Sequence, residues 1–310
     1  MSYFKPRKVE RNYDLVSSCS WYTPDVGGVF AVLGWLIIGM IAAGLVMLPF
    51  VLFSLPMNYM MLIMYPVQFI PVFMYVRLKS SRNMAFDTGY ALDSSHFGKW
   101  GGVVLAVAVV AGIIALEMVL EIVNQYLPDT EGSMMEMIEK MMEGPLWVNL
   151  ITMCVMAPFF EEWLCRGVVL RGLLNFKPSI PRGEGERNRG LSPALAIVIS
   201  AIFFAAIHGN VWQGVTAFIS GCLFGYVYYK TGSLKLTMLM HCANNTLAVL
   251  VGKFGSEAMK EAKSLVEVVP AWEYAIIFAV SAAFLWFLIK YLRTIGLQDP
   301  QGNCDVIPND

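Results

Sequence analysis

The sequence predicts an all-α, polytopic membrane protein with about eight transmembrane helices and both termini in the cytoplasm. Of its 310 residues, 57% are hydrophobic and only 15% are charged, and the mean hydropathy is +0.60. Apolar runs recur along the whole chain and leave no stretch that could form a separate soluble domain. A composition this apolar is typical of integral membrane proteins. The net charge of −1 argues against nucleic acid as a partner.

Eight apolar segments are candidate membrane spans, separated by Pro, Gly, Asn or charged residues. The segments are 29–53, 59–76, 100–122, 145–174, 193–208, 211–229, 234–251 and 270–292. The first run follows a polar arm and is too long for a signal-peptide core, so we expect a transmembrane helix there. The fifth segment is short.

The loop charges predict the orientation. With eight spans, the basic residues of the loops and tails all fall on one side: Lys5, Arg7, Lys8, Arg11, Arg77, Lys79, Arg82, Lys99, Lys177, Arg182, Arg187, Arg189, Lys230, Lys235, Lys290 and Arg293. The opposite side carries the acidic segment 129–143. By the positive-inside rule, both termini are cytoplasmic. Short amphipathic stretches at 133–142 and 256–266 predict helices lying on the outer surface.

The chain divides into four parts. Residues 1–28 form a cytoplasmic arm, and 29–144 contain helices 1–3 with their loops. Residues 145–251 contain helices 4–7, and 252–310 hold an outer loop, helix 8 and a cytoplasmic tail. None of the six cysteines falls in an outer loop in this topology, so we expect no structural disulfide.

The fourth span contains two adjacent carboxylates and an arginine. A charge in a bilayer costs several kcal/mol unless it is paired or hydrated, so such residues indicate a functional site. Glu162 and Arg166 are four residues apart and can pair on one helix face. Glu161 points elsewhere and has no charged partner on its own helix, which suits proton transfer. The structural alternative is that both glutamates join one salt-bridge network that holds helices together.

Two histidines lie inside the later spans. His208 closes the fifth segment, and His241 lies in the seventh with Asn245 one turn further on. A single membrane histidine is more often a helix-to-helix hydrogen bond than a catalyst. Polar groups in a helix bundle must satisfy one another, so we expect these side chains to converge on the glutamate pair.

These motifs resemble those of a known family. They are Glu161-Glu162-x-x-x-Arg166, Phe204-x-x-x-His208 and His241-x-x-x-Asn245, in that order on separate helices. The set resembles the CAAX prenyl proteases and bacteriocin-processing (CPBP) enzymes, which are glutamate-dependent intramembrane endopeptidases. The resemblance covers roughly residues 145–250. Gly167 also matches, whereas Cys165 stands where such motifs often carry an aromatic residue.

The resemblance implies a metal-free peptide hydrolase in a multi-pass protein of a bacterial plasma membrane. Its substrates would be lipidated C-terminal peptides or membrane-anchored peptides and proteins, and its surroundings membrane lipids. Glu161 would be the general base for a water that His208 orients. His241 and Asn245 would donate hydrogen bonds to the oxyanion. Arg166 would hold Glu162 and fix the helix, and no cofactor is expected.

Two other chemistries are open. Glu161, His208 and His241 are the ligand types of a catalytic zinc site, although the chain lacks H-E-x-x-H. A cysteine nucleophile is also conceivable, because Cys165 lies one turn from Glu161 and Cys242 is next to His241.

Two other function classes are open as well. The chain could be a non-enzymatic immunity or scaffold protein that binds a peptide or partner in the membrane. It could also be a proton-coupled transporter with Glu161 as proton carrier, although the sequence shows no inverted repeat.

The site residues are predicted to lie at different depths in the membrane. Counted from the cytoplasmic side, His241 is shallow in its span, His208 is at the far end of the fifth segment and Glu161 is near the middle. The three residues can meet only if the fifth helix starts deep or tilts.

Overall fold

The computed structural model of the chain describes residues 22–53, 57–83, 97–127, 144–176, 190–256, 258–259, 262, 264–295, 297–298 and 304–305. These residues are almost entirely helical, which confirms the all-α membrane fold. The helices are α1 Val26–Leu52, α2 Met57–Asn83, α3 Gly101–Asn124, α4 Leu146–Asn175, α5 Pro193–Ile207, α6 Val211–Thr231, α7 Leu234–Phe254, α8 Leu265–Val268 and α9 Ala271–Arg293. A 3₁₀ turn, Gly98–Trp100, precedes α3, and Leu297–Gln298 pairs antiparallel with Cys304–Asp305.

All eight predicted spans are helical. Six helices of the described part, α1, α2, α3, α4, α7 and α9, are long and apolar enough to cross a membrane. Helix α5 is apolar but has only 15 residues, and α6, with 21 residues, is not among the six. The count of eight crossings and the side of the termini therefore stay predictions.

Several predicted features fall outside the described residues. They include most of the N-terminal arm, the acidic segment 129–143 with the predicted surface helix 133–142, and the basic loop 177–189. The predicted surface helix 256–266 is described only in part, and its end overlaps α8.

Helix α4 is the central element of the fold. It contacts α2, α5, α6 and α7, and every residue from 161 to 173 is buried. A helix that is enclosed on all sides can hold charged side chains away from lipid, provided that its neighbours supply their partners. The site can therefore be assembled around α4.

The backbone of α4 is not a uniform α-helix. Two π-helical stretches, Leu150–Met156 and Trp163–Leu170, flank the α-helical Ala157–Glu162. The N–H of Ala157 donates to the carbonyl of Thr152, five residues back. The next donor in this pattern would belong to Pro158, which has no N–H, so the Met153 carbonyl loses its helical partner.

Close backbone contacts position the first two helices. A Cβ added at Gly39 of α1 would lie 1.8 Å from the carbonyl oxygen of Gln68 in α2, so only glycine allows this crossing. The segment before α1 packs on the end of α4: Arg171 Nη2 donates to the carbonyl of Tyr22 at 2.8 Å, and Pro24 lies against Gly172. Helix α2 is thereby held beside α4.

Candidate active site

The Arg166 guanidinium is fully buried at the centre of the bundle. Its Nη1 donates to Glu162 Oε1 at 2.7 Å, which is the pairing that the four-residue spacing predicts. Its Nη2 donates to the carbonyl of Gly221 in α6 at 3.1 Å. The rings of Phe204 and Phe224 lie 4.5 and 5.2 Å from the guanidinium carbon. Charge pairing and cation–π contacts offset part of the desolvation cost of this cation, whose Nε–H has no hydrogen-bond partner among the described residues.

His241 joins the same network from α7. Its Nδ1 lies 3.1 Å from Glu162 Oε1, and its ring stacks on Phe224 with centroids 5.6 Å apart. A carboxylate only accepts hydrogen bonds, so Nδ1 carries the proton that it donates to Glu162. The opposite nitrogen, Nε2, lies 3.9 Å from Glu161 Oε2. Glu162 therefore fixes both the orientation and the tautomer of His241.

Glu161 lies at the edge of this network. The phenol of Tyr65 in α2 donates to its Oε1 at 3.4 Å. Its Oε2 is buried and accepts no hydrogen bond from any described residue, and it faces His241. Glu162 Oε2 likewise has no hydrogen-bond partner among the described residues, so the two glutamates differ in their other contacts: Glu162 is paired with a guanidinium, whereas the unbonded oxygen of Glu161 faces Nε2 of His241.

His208 follows the last turn of α5 and is half-buried. Its Nδ1 donates to the carbonyl of Phe204 at 2.8 Å, which leaves Nε2 on the far side of the ring. The Phe204 ring contacts both histidines, with its centroid 4.8 Å from that of His208 and 5.3 Å from that of His241. The predicted histidines therefore share one aromatic neighbour, and the Nδ1–H of His208 bonds a carbonyl of its own helix.

Asn245 contacts the backbone of α4. Its Nδ2 donates to the carbonyl of Met153 at 2.7 Å, the carbonyl that Pro158 leaves without a helical donor. An amide nitrogen has two N–H groups, so one N–H remains beyond this bond. The bond ties α7 to α4 one turn from His241.

The structure adds two aromatic residues, Phe224 and Tyr65, to Phe204, which the motifs already contain. Phe204 and Phe224 enclose Arg166 and contact His241, and Tyr65 contacts Glu161. Phe204 had a sequence signal, since it lies one turn before His208. Phe224 and Tyr65 lie on helices that carry none of the three motifs, so nothing in the sequence marks them.

A cysteine nucleophile and a zinc site were the two alternative chemistries that the sequence left open. Cys154, Cys165, Cys222 and Cys242 are free thiols, and Cys165 is fully buried. Among the described residues, no group of three His, Cys, Asp or Glu side chains is placed to hold a metal ion. Glu161 and His241 face each other, but His208 is not grouped with them as a third ligand.

Comparison with known proteins identifies this region of the chain. Residues 143–247 match the family model described as "Type II CAAX prenyl endopeptidase Rce1-like", and they contain all three motifs. No curated protein and no solved structure matches the chain. The match bears out the resemblance of the motifs and indicates a peptide hydrolase embedded in a membrane. Residues 143–247 of this chain are therefore similar to the type II CAAX prenyl endopeptidases.

Proposed function

We propose that this protein is a glutamate-type intramembrane endopeptidase that hydrolyses a peptide bond with a water activated by Glu161. The observation that carries the proposal is the 3.9 Å separation of Glu161 Oε2 from His241 Nε2, where Oε2 accepts no hydrogen bond from the described residues. A water held by both atoms would have one proton directed at the carboxylate. Proton transfer of this kind contributes about 10²- to 10⁴-fold to a rate.

The reaction then follows without a covalent intermediate. The water oxygen attacks the peptide carbonyl carbon while Glu161 Oε2 takes its proton. The oxyanion forms near the second N–H of Asn245, which contributes a few kcal/mol when aligned. Nε2 of His241 carries no proton in the tautomer that Glu162 sets, so it accepts a hydrogen bond from the water. The C–N bond breaks, and the proton held by Glu161 passes to the leaving amine. The products are a carboxylic acid and an amine, which ionise to a carboxylate and an ammonium group.

The other polar groups hold this arrangement. Glu162, which Arg166 holds in place, accepts the Nδ1–H of His241 and so sets the tautomer and position of that ring. His208 presents Nε2 away from its helix and orients the water or the substrate. The mechanism needs no metal and no organic cofactor.

The similarity to the CAAX prenyl endopeptidases is the basis for the proposed substrate class. We propose that the substrates are peptides or proteins with lipidated C-termini, or small membrane-anchored precursors, cleaved near the cytoplasmic side of a bacterial plasma membrane. Glu161 and His241 lie inside a bundle whose outer faces are apolar, and this favours a substrate that is already in the membrane.

The test is cleavage of a mixed pool of prenylated and plain membrane peptides by the detergent-purified protein, read by mass spectrometry. Wild type, Glu161→Gln and wild type with a strong chelator are compared. We expect cuts that disappear in Glu161→Gln and persist with chelator. Cuts that the chelator abolishes would establish a metal enzyme instead. Cuts that survive in Glu161→Gln would overturn the role of Glu161. Equal peptide binding by both proteins, without cleavage, would favour a binding protein.

A further inference from the structure

Tyr65 lies beside the proposed base although it belongs to a different part of the chain. Its phenol oxygen is 3.4 Å from Glu161 Oε1, and it is half-buried on α2. Helix α2 lies outside residues 143–247, which match the endopeptidase family model. Neither the motifs nor the comparison therefore assigns this residue a role.

Aromatic packing fixes the register of Tyr65. Phe69 stacks on Phe160 with centroids 4.9 Å apart, and Phe73 lies 5.5 Å from Trp163. Tyr65, Phe69 and Phe73 are spaced by four residues, so they lie along one face of α2. These contacts hold α2 against α4 over three turns, and the first turn places a phenol at Glu161.

The two oxygens of Glu161 have separate neighbours. Oε1 faces the Tyr65 hydroxyl, and Oε2 faces His241 Nε2 at 3.9 Å. A carboxylate on two rotatable methylenes has several accessible orientations, and no guanidinium of the described residues restrains Glu161 as Arg166 restrains Glu162. A hydrogen bond to one oxygen fixes the direction of the other.

We infer that Tyr65 is a positioning residue for catalysis: its hydroxyl holds Glu161 Oε1 so that Oε2 stays directed at His241 and the attacking water. This inference rests on the proposed function and extends the active site to α2. The length of 3.4 Å exceeds the usual O–H···O range of about 2.5–3.0 Å, and we expect the bond to shorten in the substrate complex.

The kinetic test uses Tyr65→Phe, which keeps the ring and removes the hydroxyl. Tyr59→Phe is the matched control, because Tyr59 is on the same helix, is 43% exposed and contacts Trp147 instead. We expect Tyr65→Phe to lower kcat about 10- to 100-fold with KM unchanged, because misplacing a reacting group costs rate and not binding. Tyr59→Phe should match wild type, and both variants should keep the wild-type melting temperature.

A kcat within twofold of wild type in Tyr65→Phe would overturn the inference. So would a raised KM with unchanged kcat, which would make Tyr65 a substrate contact. In either case the loss of cleavage in Glu161→Gln would still support the proposed function, so the two proposals fail separately.

A second measurement does not depend on activity. The 13 tyrosines are labelled with ¹³C at Cζ, and the Tyr65 and Tyr59 resonances are identified by their absence in the phenylalanine variants. We expect Glu161→Gln to shift the Tyr65 resonance and to leave that of Tyr59 in place. An unmoved Tyr65 resonance would overturn the contact, even if the protein cleaves no peptide in the pool.

Discussion

The Nδ1 atom of His241 lies 3.1 Å from Glu162 Oε1, the same oxygen that accepts the Nη1–H of Arg166 at 2.7 Å. Glu162 therefore joins the arginine of its own helix to a histidine on α7. From the sequence, Glu162 is only the partner of Arg166. The structure makes it the residue that orients His241 toward Glu161.

The two neighbouring glutamates should respond differently to the same substitution. Glu162→Gln leaves the fully buried Arg166 without its charge partner, so it should lower the free energy of unfolding by about 3–5 kcal/mol. Glu161→Gln removes no guanidinium partner and should abolish cleavage while changing stability by less than about 1 kcal/mol. Unfolding in detergent together with the peptide assay measures both effects. Equal losses of stability would contradict the division of roles.

Arg166 should not tolerate lysine. An ammonium cannot bond Glu162 and the Gly221 carbonyl in the same geometry and stack between two rings. We expect Arg166→Lys to cost about 2–3 kcal/mol of unfolding free energy. Arg77→Lys on the exposed face of α2 is the control and should be neutral. A neutral Arg166→Lys would show that charge alone holds the network.

Asn245 should stabilise the fold as well as act in catalysis. Asn245→Leu removes the donor to the Met153 carbonyl and should cost about 1–3 kcal/mol of unfolding free energy. Pro158→Ala restores a backbone N–H that can bond the same carbonyl. Asn245→Leu should therefore cost less in the Pro158→Ala background, which a double-mutant cycle measures. Additive effects of the two substitutions would show that Asn245 does not replace the missing backbone donor.

The crossing of α1 and α2 should depend on one glycine. A Cβ at Gly39 would lie 1.8 Å from the Gln68 carbonyl oxygen, whereas a Cβ at Gly44 would meet nothing within 4 Å. We expect Gly39→Ala to destabilise the protein by about 1–3 kcal/mol through the forced shift of α2. Gly44→Ala on the same helix should be neutral or slightly stabilising. Thermal unfolding distinguishes the two, and a tolerated Gly39→Ala would contradict the close crossing.

The sequence by itself determined the helices and the chemistry of their residues. Apolar runs and their breaks located helices α1–α7 and α9, because burial in lipid demands long apolar stretches. The Glu162–Arg166 pair followed from the α-helical period, which sets contacts between residues four apart on one helix. The three motifs pointed to the endopeptidase family that the comparison then matched.

Only the tertiary structure decided which of these residues meet. The contacts of Glu161 with Tyr65, of Arg166 with Gly221 and of Asn245 with the Met153 carbonyl each join different helices. Such contacts depend on crossing points and on helix register, which a single helical period does not encode. The π-helical turns of α4 also alter the faces that an ideal α-helix would present, and they free the carbonyl that Asn245 binds. The order of polar residues along the chain could therefore predict the family, whereas the packing of α2 and α7 against α4 settled the neighbours of each glutamate.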